Sequence, residues 1–281
     1  MKAMRGYRWF GWSVLALGFA FLYLPILLLM LYSFNSSRLA MVWGGFSVRW
    51  YGELFNDRAL MDALWVSLRV AFWTACAATV LGTLAAMVMT RFRRFRGKTV
   101  FGALITAPLV MPEVILGFSL MTLLVSMGGI PGFPARGITT IWIAHVTFTL
   151  SFVTVVVSSR LQELDISLEE AAMDLGASRL TVFTRITLPI IAPALVAGWL
   201  LAFTLSLDDV VIASFVAGPS ATTLPMKVFA SVRMGISPKI NALATLMVLA
   251  VSVAAVVGWY FNARTEQRRQ RDLQLARQAN G

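Results

Sequence analysis

The chain is 281 residues long, 58% apolar and only 13% charged, which excludes an ordinary soluble domain, where about a quarter of residues carry charge. Its 24 Lys and Arg against 13 Asp and Glu leave a net charge of +11; a basic rim facing anionic lipid is the usual state of a membrane protein, so this excess does not argue for nucleic acid. A single cysteine, Cys76, and a single histidine, His145, exclude a disulfide framework and a metal cluster.

Six apolar runs reach the length of about 20 residues that a bilayer crossing needs. They predict an all-α integral membrane protein with six transmembrane helices, forming one integral domain over 1–281. The first run, at 9–34, follows Lys2, Arg5 and Arg8. It is too long for the apolar part of a secretory signal and no small-residue cleavage site follows it, so it reads as a retained anchor. The stretch 35–62 carries the turn residues "NSS" and the aromatic segment "VWGGFSVRWYGELF". Trp43, Trp50 and Tyr51 fit either an interfacial aromatic belt or a place at a substrate's entrance. The second run, 63–90, holds Cys76 in mid-helix, where it reads as a small packing residue.

Next comes "RFRRFRGK" at 91–98, with five basic residues. The "GKT" of Gly97 to Thr99 resembles the end of a phosphate-binding loop, but the first glycine position is Phe92 and no buried strand precedes it, so the motif is a decoy. In the third run, 99–126, Pro108 and Pro112 precede Glu113 and predict a kink that opens carbonyls toward a cavity. "GGIPGFP" within 127–137 leads to the fourth run, 138–159. Its His145 reads as a hydrogen-bonded packing residue, with a ligand or proton-relay role as the alternative.

The loop 160–192 is the most informative segment. In "LEEAAMDL", Leu168, Ala171, Ala172 and Leu175 fall on one apolar face, while Glu169, Glu170 and Asp174 lie off it. Gly176 suits a left-handed helix stop, Ser178 caps a second short helix through "RLTVFTRI", and Pro189 is expected to break it. The alanine face is shallow and better suited to a protein partner than to lipid. A DNA-reading helix-turn-helix has a similar rhythm, but the first helix is acidic and both ends are tied to membrane spans.

The fifth run, 193–216, contains "SLDD", with Asp208 and Asp209 adjacent in apolar surroundings where an ionised group is costly. On a regular helix they point about 100° apart and cannot face one spot. Ser206 and Asp209 have capping-box spacing, so Asp209 fits a half-helix start as well as a cation contact; Asp208 is favoured for a cation pathway. After the loop 217–240 and the sixth run, 241–262, a polar tail at 263–281 reads as a short helix or as disordered. One side of the membrane would hold 16 basic residues and the other seven, with Arg69 near the outer end of the second run. The positive-inside rule places both termini in the cytoplasm.

The run Glu170, Ala171, Ala172, three residues, Gly176, nine residues, Ile186, one residue, Leu188, Pro189 resembles the EAA loop of permease subunits of bacterial binding-protein-dependent ABC importers. "YSFNSSR", "RWYGEL", "ITAPLVMPEV", "EEAAMDLGAS" and "GWLLAFTLSLDDVVIASFVAGP" followed by "TTLP" extend the likeness to the polyamine importers over nearly the whole chain. The resemblance implies the type I importer permease (MetI-like) fold in the bacterial inner membrane. It also implies that Glu170, Ala171, Ala172, Asp174, Leu175, Gly176, Ile186, Leu188 and Pro189 dock on an ATPase. The partners implied are a homologous second permease, two ATPase subunits and a periplasmic polyamine-binding protein. ATP and Mg would sit on the ATPase, with no catalytic residue, metal or cofactor in this chain. A polyamine, putrescine first, needs separated carboxylates and apolar or aromatic walls. Glu113, Asp208, Asp209, Ser206, Trp50 and Trp43 are the candidate pathway residues. An ion-coupled secondary transporter of organic cations is the alternative, and a receptor-like scaffold would have no need of intramembrane acids.

Overall fold

The computed structural model describes residues 2–38, 42–92, 94–219, 221–234 and 237–253, with positions 256, 258, 260 and 264; the side chains of 2–8 and of 234 fall outside the description. The tail expected at 263–281 lies, except at 264, outside the described residues. The helices in order are α1 (Lys2–Tyr32), α2 (Arg49–Phe55), α3 (Arg58–Arg91), α4 (Lys98–Val110), α5 (Glu113–Met127) and α6 (Ile138–Glu163). Then come α7 (Ile166–Asp174), α8 (Arg179–Val182), a π-helical turn (Phe183–Thr187), α9 (Leu188–Leu207), α10 (Val211–Val216) and α11 (Leu224–Met234). A shorter apolar helix, α12 (Pro238–Val253), closes the described chain.

Six uninterrupted spans are not what forms. Among the described residues four helices are long and apolar enough to cross a membrane, or five if the bent pair α4 and α5 counts as one. The third run breaks by 118° because Pro112 pushes the residue before it out of the helical region: Met111 is extended, with φ −75° and ψ 134°. The fifth run breaks between Leu207 and Val211. The sixth appears as α12, shorter than a span in its described part.

The chain divides into two compact units, Arg58–Ala230 and Met1–Asp57 with Ser231–Gly281. In the first, α3, α6 and α9 pack on one another and α10 packs on α5 and α6. Small residues bring the three long helices together. Val153 of α6 is wholly buried, and a Cβ on Gly82 of α3 would lie 2.9 Å from its Cβ, while one on Gly198 of α9 would lie 3.2 Å from its Cγ1. Without a hydrophobic driving force inside a bilayer, such close approach is how helices gain contact.

In the other unit, no residue of Trp9–Tyr32 is buried although this helix has a mean hydropathy of 2.6. Such a surface is stable only under lipid or another chain. The loop after it is pinned by Asn35, wholly buried. Its Nδ2 donates to Val42 O at 2.7 Å, its Oδ1 accepts from Ser37 and Gly44 N–H, and its own carbonyl accepts from Trp50 Nε1 at 2.6 Å. Lys239 Nζ pairs with Asp57 Oδ2 at 3.0 Å.

Candidate functional site

Two breaks in apolar helices meet at one cavity. Its volume is about 240 Å³, and Glu113, Phe148, Leu205, Asp208, Asp209, Val210 and Val211 line it. All three acids that the sequence places in apolar runs are therefore brought to one place, on walls that are otherwise apolar and aromatic. Glu113 is exposed at the first position of α5, directly after the bend at Pro112. Its carboxylate sits at the positive end of that helix. Asp208 ends α9 as its C-cap and is exposed.

Asp209 turns the other way. Its side chain is 4% exposed. Its Oδ1 accepts from Ile212 N–H at 3.2 Å and its Oδ2 from Ala213 N–H at 2.7 Å, so the carboxylate caps α10. Oδ2 also lies 3.1 Å from His145 Nε2, and His145 Nδ1 lies 2.7 Å from Ser206 Oγ. Ser206 is thus not Asp209's box partner: it belongs to the last turn of α9 and reaches α6 instead. The far end of α10 is held as well. Arg136 donates to Phe215 O at 2.6 Å and Ala217 O at 3.0 Å, and Thr140 Oγ1 donates to Val216 O at 2.9 Å.

A serine, a histidine and an aspartate in contact raise the question of a nucleophile. Ser206 is buried and is not among the residues that line the cavity, whereas a nucleophile for acyl transfer has to be open to a substrate carbonyl.

Trp43 and Trp50 belong to the unit Met1–Asp57 with Ser231–Gly281, whereas the residues that line the cavity belong to Arg58–Ala230. Trp50 is buried on Asn35, and Trp43 is an exposed ring set edge-on against Tyr32.

The loop 160–192 folds as its local chemistry dictates. Asp165 starts α7 by accepting from Ser167 N–H at 3.0 Å; that backbone bond, then the Ser167 hydroxyl, hold its carboxyl below the usual carboxylate range. Gly176 has φ +87°. Its N–H donates to Met173 O, and Ala177 N–H donates to Ala172 O, the paired bonds of a Schellman stop. Ser178 then caps α8 by accepting from Thr181 N–H at 3.2 Å. No residue of α7 is buried, and Leu168, Met173, Leu175 and Leu180 stand out from the surface, Leu175 at 90% exposure. Glu170, Ala171 and Asp174 are exposed, Ala172, Ile186 and Leu188 half-buried.

Pro189 does not break the second helix. The chain runs from Arg179 to Leu207 as one apolar helical rod. The π-helical turn widens the spiral just before the proline, with Leu188 N–H donating to Phe183 O, so the ring and its missing N–H are accommodated. The segment from Arg179 is continuous with α9.

Sequence reasoning missed the fastening of this loop. Glu169 Oε1 accepts from Arg91 at 2.9 Å and from Thr187 Oγ1 at 2.9 Å, and Arg91 also donates to Leu161 O at 3.1 Å. One carboxylate joins α7 to the end of α3 and the start of α9, and Arg91 extends the tie to the end of α6. It also missed the partners of His145. The signal was present: Ser206 and Asp209 lie three residues apart, close enough in the chain for both to reach a single group across the break.

Comparison with known proteins agrees with this geometry. The family described as "Binding-protein-dependent transport system inner membrane component" matches residues 78–271. The chain is 61% identical over 265 residues to the putrescine transport system permease protein PotI of Escherichia coli K12, covering 94% of each. It is 42% identical over 250 residues to the spermidine/putrescine transport system permease protein PotC of the same organism, covering 89% of this chain and 92% of that one. Among solved structures it superposes on a bacterial ABC transporter involved in the import of the acidic polysaccharide alginate. That match has a TM-score of 0.70 at 14% identity, over 90% of this chain and 94% of the other. The MetNI methionine ABC transporter in an inward-facing form gives a TM-score of 0.56 at 17% identity, over 70% and 90%. These two structures establish the fold alone.

Proposed function

The chain belongs to the family of binding-protein-dependent transport system inner membrane components, and on that premise we propose that it is the permease subunit of a bacterial ABC importer that carries a polyamine, putrescine first. The observation that carries the substrate class is the cavity at the two helix breaks, where Glu113, Asp208 and Asp209 share apolar and aromatic walls. A diamine has ammonium ends and a methylene body. Carboxylates meet the first through charge-assisted hydrogen bonds, and Phe148, Leu205, Val210 and Val211 meet the second. The likeness to PotI over nearly the whole chain supports putrescine.

In this reading the exposed face of α7 and α8, with Glu170, Ala171, Ala172, Asp174, Leu175 and Gly176, docks on an ATPase. Ile186, Leu188 and Pro189 lie on the rod that carries its motion into α9. ATP and Mg belong to two ATPase subunits. A homologous second permease completes the path and covers apolar surface, and a periplasmic binding protein delivers the substrate. The subunit sits in the inner membrane with both termini cytoplasmic, the side to which the sequence assigns 16 basic residues against seven.

The test is co-reconstitution of the chain with those partners in proteoliposomes. Putrescine accumulation that requires ATP and the binding protein is expected. Accumulation driven by a proton gradient without ATP would establish the ion-coupled alternative instead.

A further inference from the structure

We propose that His145 is a positioning residue of the cation pathway: by holding Ser206 and Asp209 together across the break between α9 and α10, it fixes which carboxylate the cavity presents. The inference rests on the pathway reading above. His145 is 1% exposed and sits one turn before Phe148, which forms part of the cavity wall, so it stands directly behind that wall. Its ring is hydrogen-bonded on both sides of the break, to Ser206 Oγ at 2.7 Å from Nδ1 on the α9 side and to Asp209 Oδ2 at 3.1 Å from Nε2 on the α10 side.

Asp209's two oxygens accept from Ile212 and Ala213 N–H, and His145 bridges from Asp209 Oδ2 to Ser206 Oγ. Each polar side chain in the sequence Ser206, His145, Asp209 therefore has a partner, and the three fix one another's orientation. Asp209 is turned inward by its three partners, and Asp208, the next residue back, is left exposed on the cavity wall. Without the imidazole, Asp209 keeps its two backbone donors but loses the group that ties them to α6. The three-residue break is then free to turn, and both carboxylates turn with it.

A merely structural histidine predicts something else: its loss would lower the amount of folded complex and act independently of Asp208. The experiment is ATP-driven putrescine uptake in proteoliposomes by the complete importer, normalised to assembled complex, for His145→Phe, His145→Gln and Asp208→Asn, and for His145→Phe combined with Asp208→Asn. Gln retains an N–H that reaches Asp209. His145→Phe is expected to slow uptake about tenfold, the scale of one misdirected charge-assisted contact. His145→Gln should restore most of the rate. In the Asp208→Asn background, His145→Phe should cost less than about twofold more, because residues that act through one another are not additive. Unchanged uptake in His145→Phe, or a further loss of about tenfold on top of Asp208→Asn, overturns the proposal. Should the Phe variant fail to assemble, His145→Asn, whose shorter amide cannot span from Ser206 to Asp209, replaces it: uptake about tenfold slower at equal assembled complex supports the proposal, and an unchanged rate overturns it. If Asp208→Asn itself transports normally, the pathway reading fails. If Asp208→Asn is impaired and His145→Phe is not, only the role of His145 fails.

Discussion

Arg91, the last residue of α3, donates to Glu169 in the first turn of α7 at 2.9 Å, with both side chains largely shielded at 16% and 14% exposure. The same carboxylate holds Thr187 in the π-helical turn. A helix with no buried residue of its own is thus tied to the end of α3 and the turn that enters α9, and through Arg91 to the end of α6; in the docking role proposed for it, motion imposed on it reaches all three. Glu169→Ala leaves the guanidinium half-buried without its anion, a loss of about 1–3 kcal/mol. Polyamine-stimulated ATPase activity should fall while the subunit still assembles. Exchanging the pair, Arg91→Glu with Glu169→Arg, should recover part of the coupling. Full activity in Glu169→Ala would show that the tie carries no motion.

Gly176 stops α7 at φ +87°, and a Cβ there would meet nothing within 4 Å. Substitution therefore strains the backbone without a clash. Gly176→Val is expected to cost about 1–2 kcal/mol locally, enough to misplace a nine-residue helix but little against the packed spans. Gly176→Asn should be milder, since Asn tolerates the left-handed region. Ligand-stimulated ATPase activity should rank Gly above Asn above Val at equal membrane levels. Equal activity in all three would mean that the turn is not a docking surface.

What was legible in the sequence was whatever local chemistry decides. The glycine stop at Gly176 and the cap at Ser178 follow from residue type and spacing of three to five positions, whereas for Asp209 the sequence left a cap and a cation contact open, and the cap that forms is on α10. The span count was not legible, because the apolar runs continue through breaks set by Met111 before Pro112 and by the residues between Leu207 and Val211. Nor was the continuity through Pro189, since a π-helical turn leaves no composition signal. The ties that assemble the site, His145 to Ser206 and Asp209 and Arg91 to Glu169, join residues 61 to 78 positions apart. Hydrophobic periodicity contains no information at that range.

Packing of the three long helices depends on the absence of side chains at Gly82 and Gly198. A Cβ at Gly82 would lie 2.9 Å from Val153 Cβ and 3.2 Å from Thr154 N, so part of the obstruction is backbone that cannot rotate away. Gly82→Ala is expected to destabilise the subunit by about 1–3 kcal/mol through overpacking. Val153→Ala in the same chain should recover part of that loss but not the share due to Thr154. Thermal unfolding of the purified complex in detergent measures both. A melting temperature unchanged by Gly82→Ala would show that α3 and α6 do not approach this closely.

The two adjacent carboxylates separate under one substitution. Asn has nearly the size of Asp and still accepts hydrogen bonds, so Asp208→Asn removes charge and little else. Asp208 is exposed on the cavity wall, and an ammonium there gains a charge-assisted hydrogen bond of about 1.5–3 kcal/mol, so Asp208→Asn should slow putrescine uptake about tenfold to a hundredfold. Asp208→Glu keeps the charge and should be less impaired. Asp209 meets backbone N–H groups of α10 instead, and Asn is itself a good cap. Asp209→Asn should therefore preserve the half-helix and transport better than Asp208→Asn, whereas Asp209→Ala, which removes the cap, should lower assembly. Uptake in proteoliposomes and the amount of assembled complex, measured side by side, separate the two roles. If Asn is harmless at 208 as well as at 209, neither charge is what the substrate meets, and Glu113, at the opposite break of the same cavity, becomes the residue to remove.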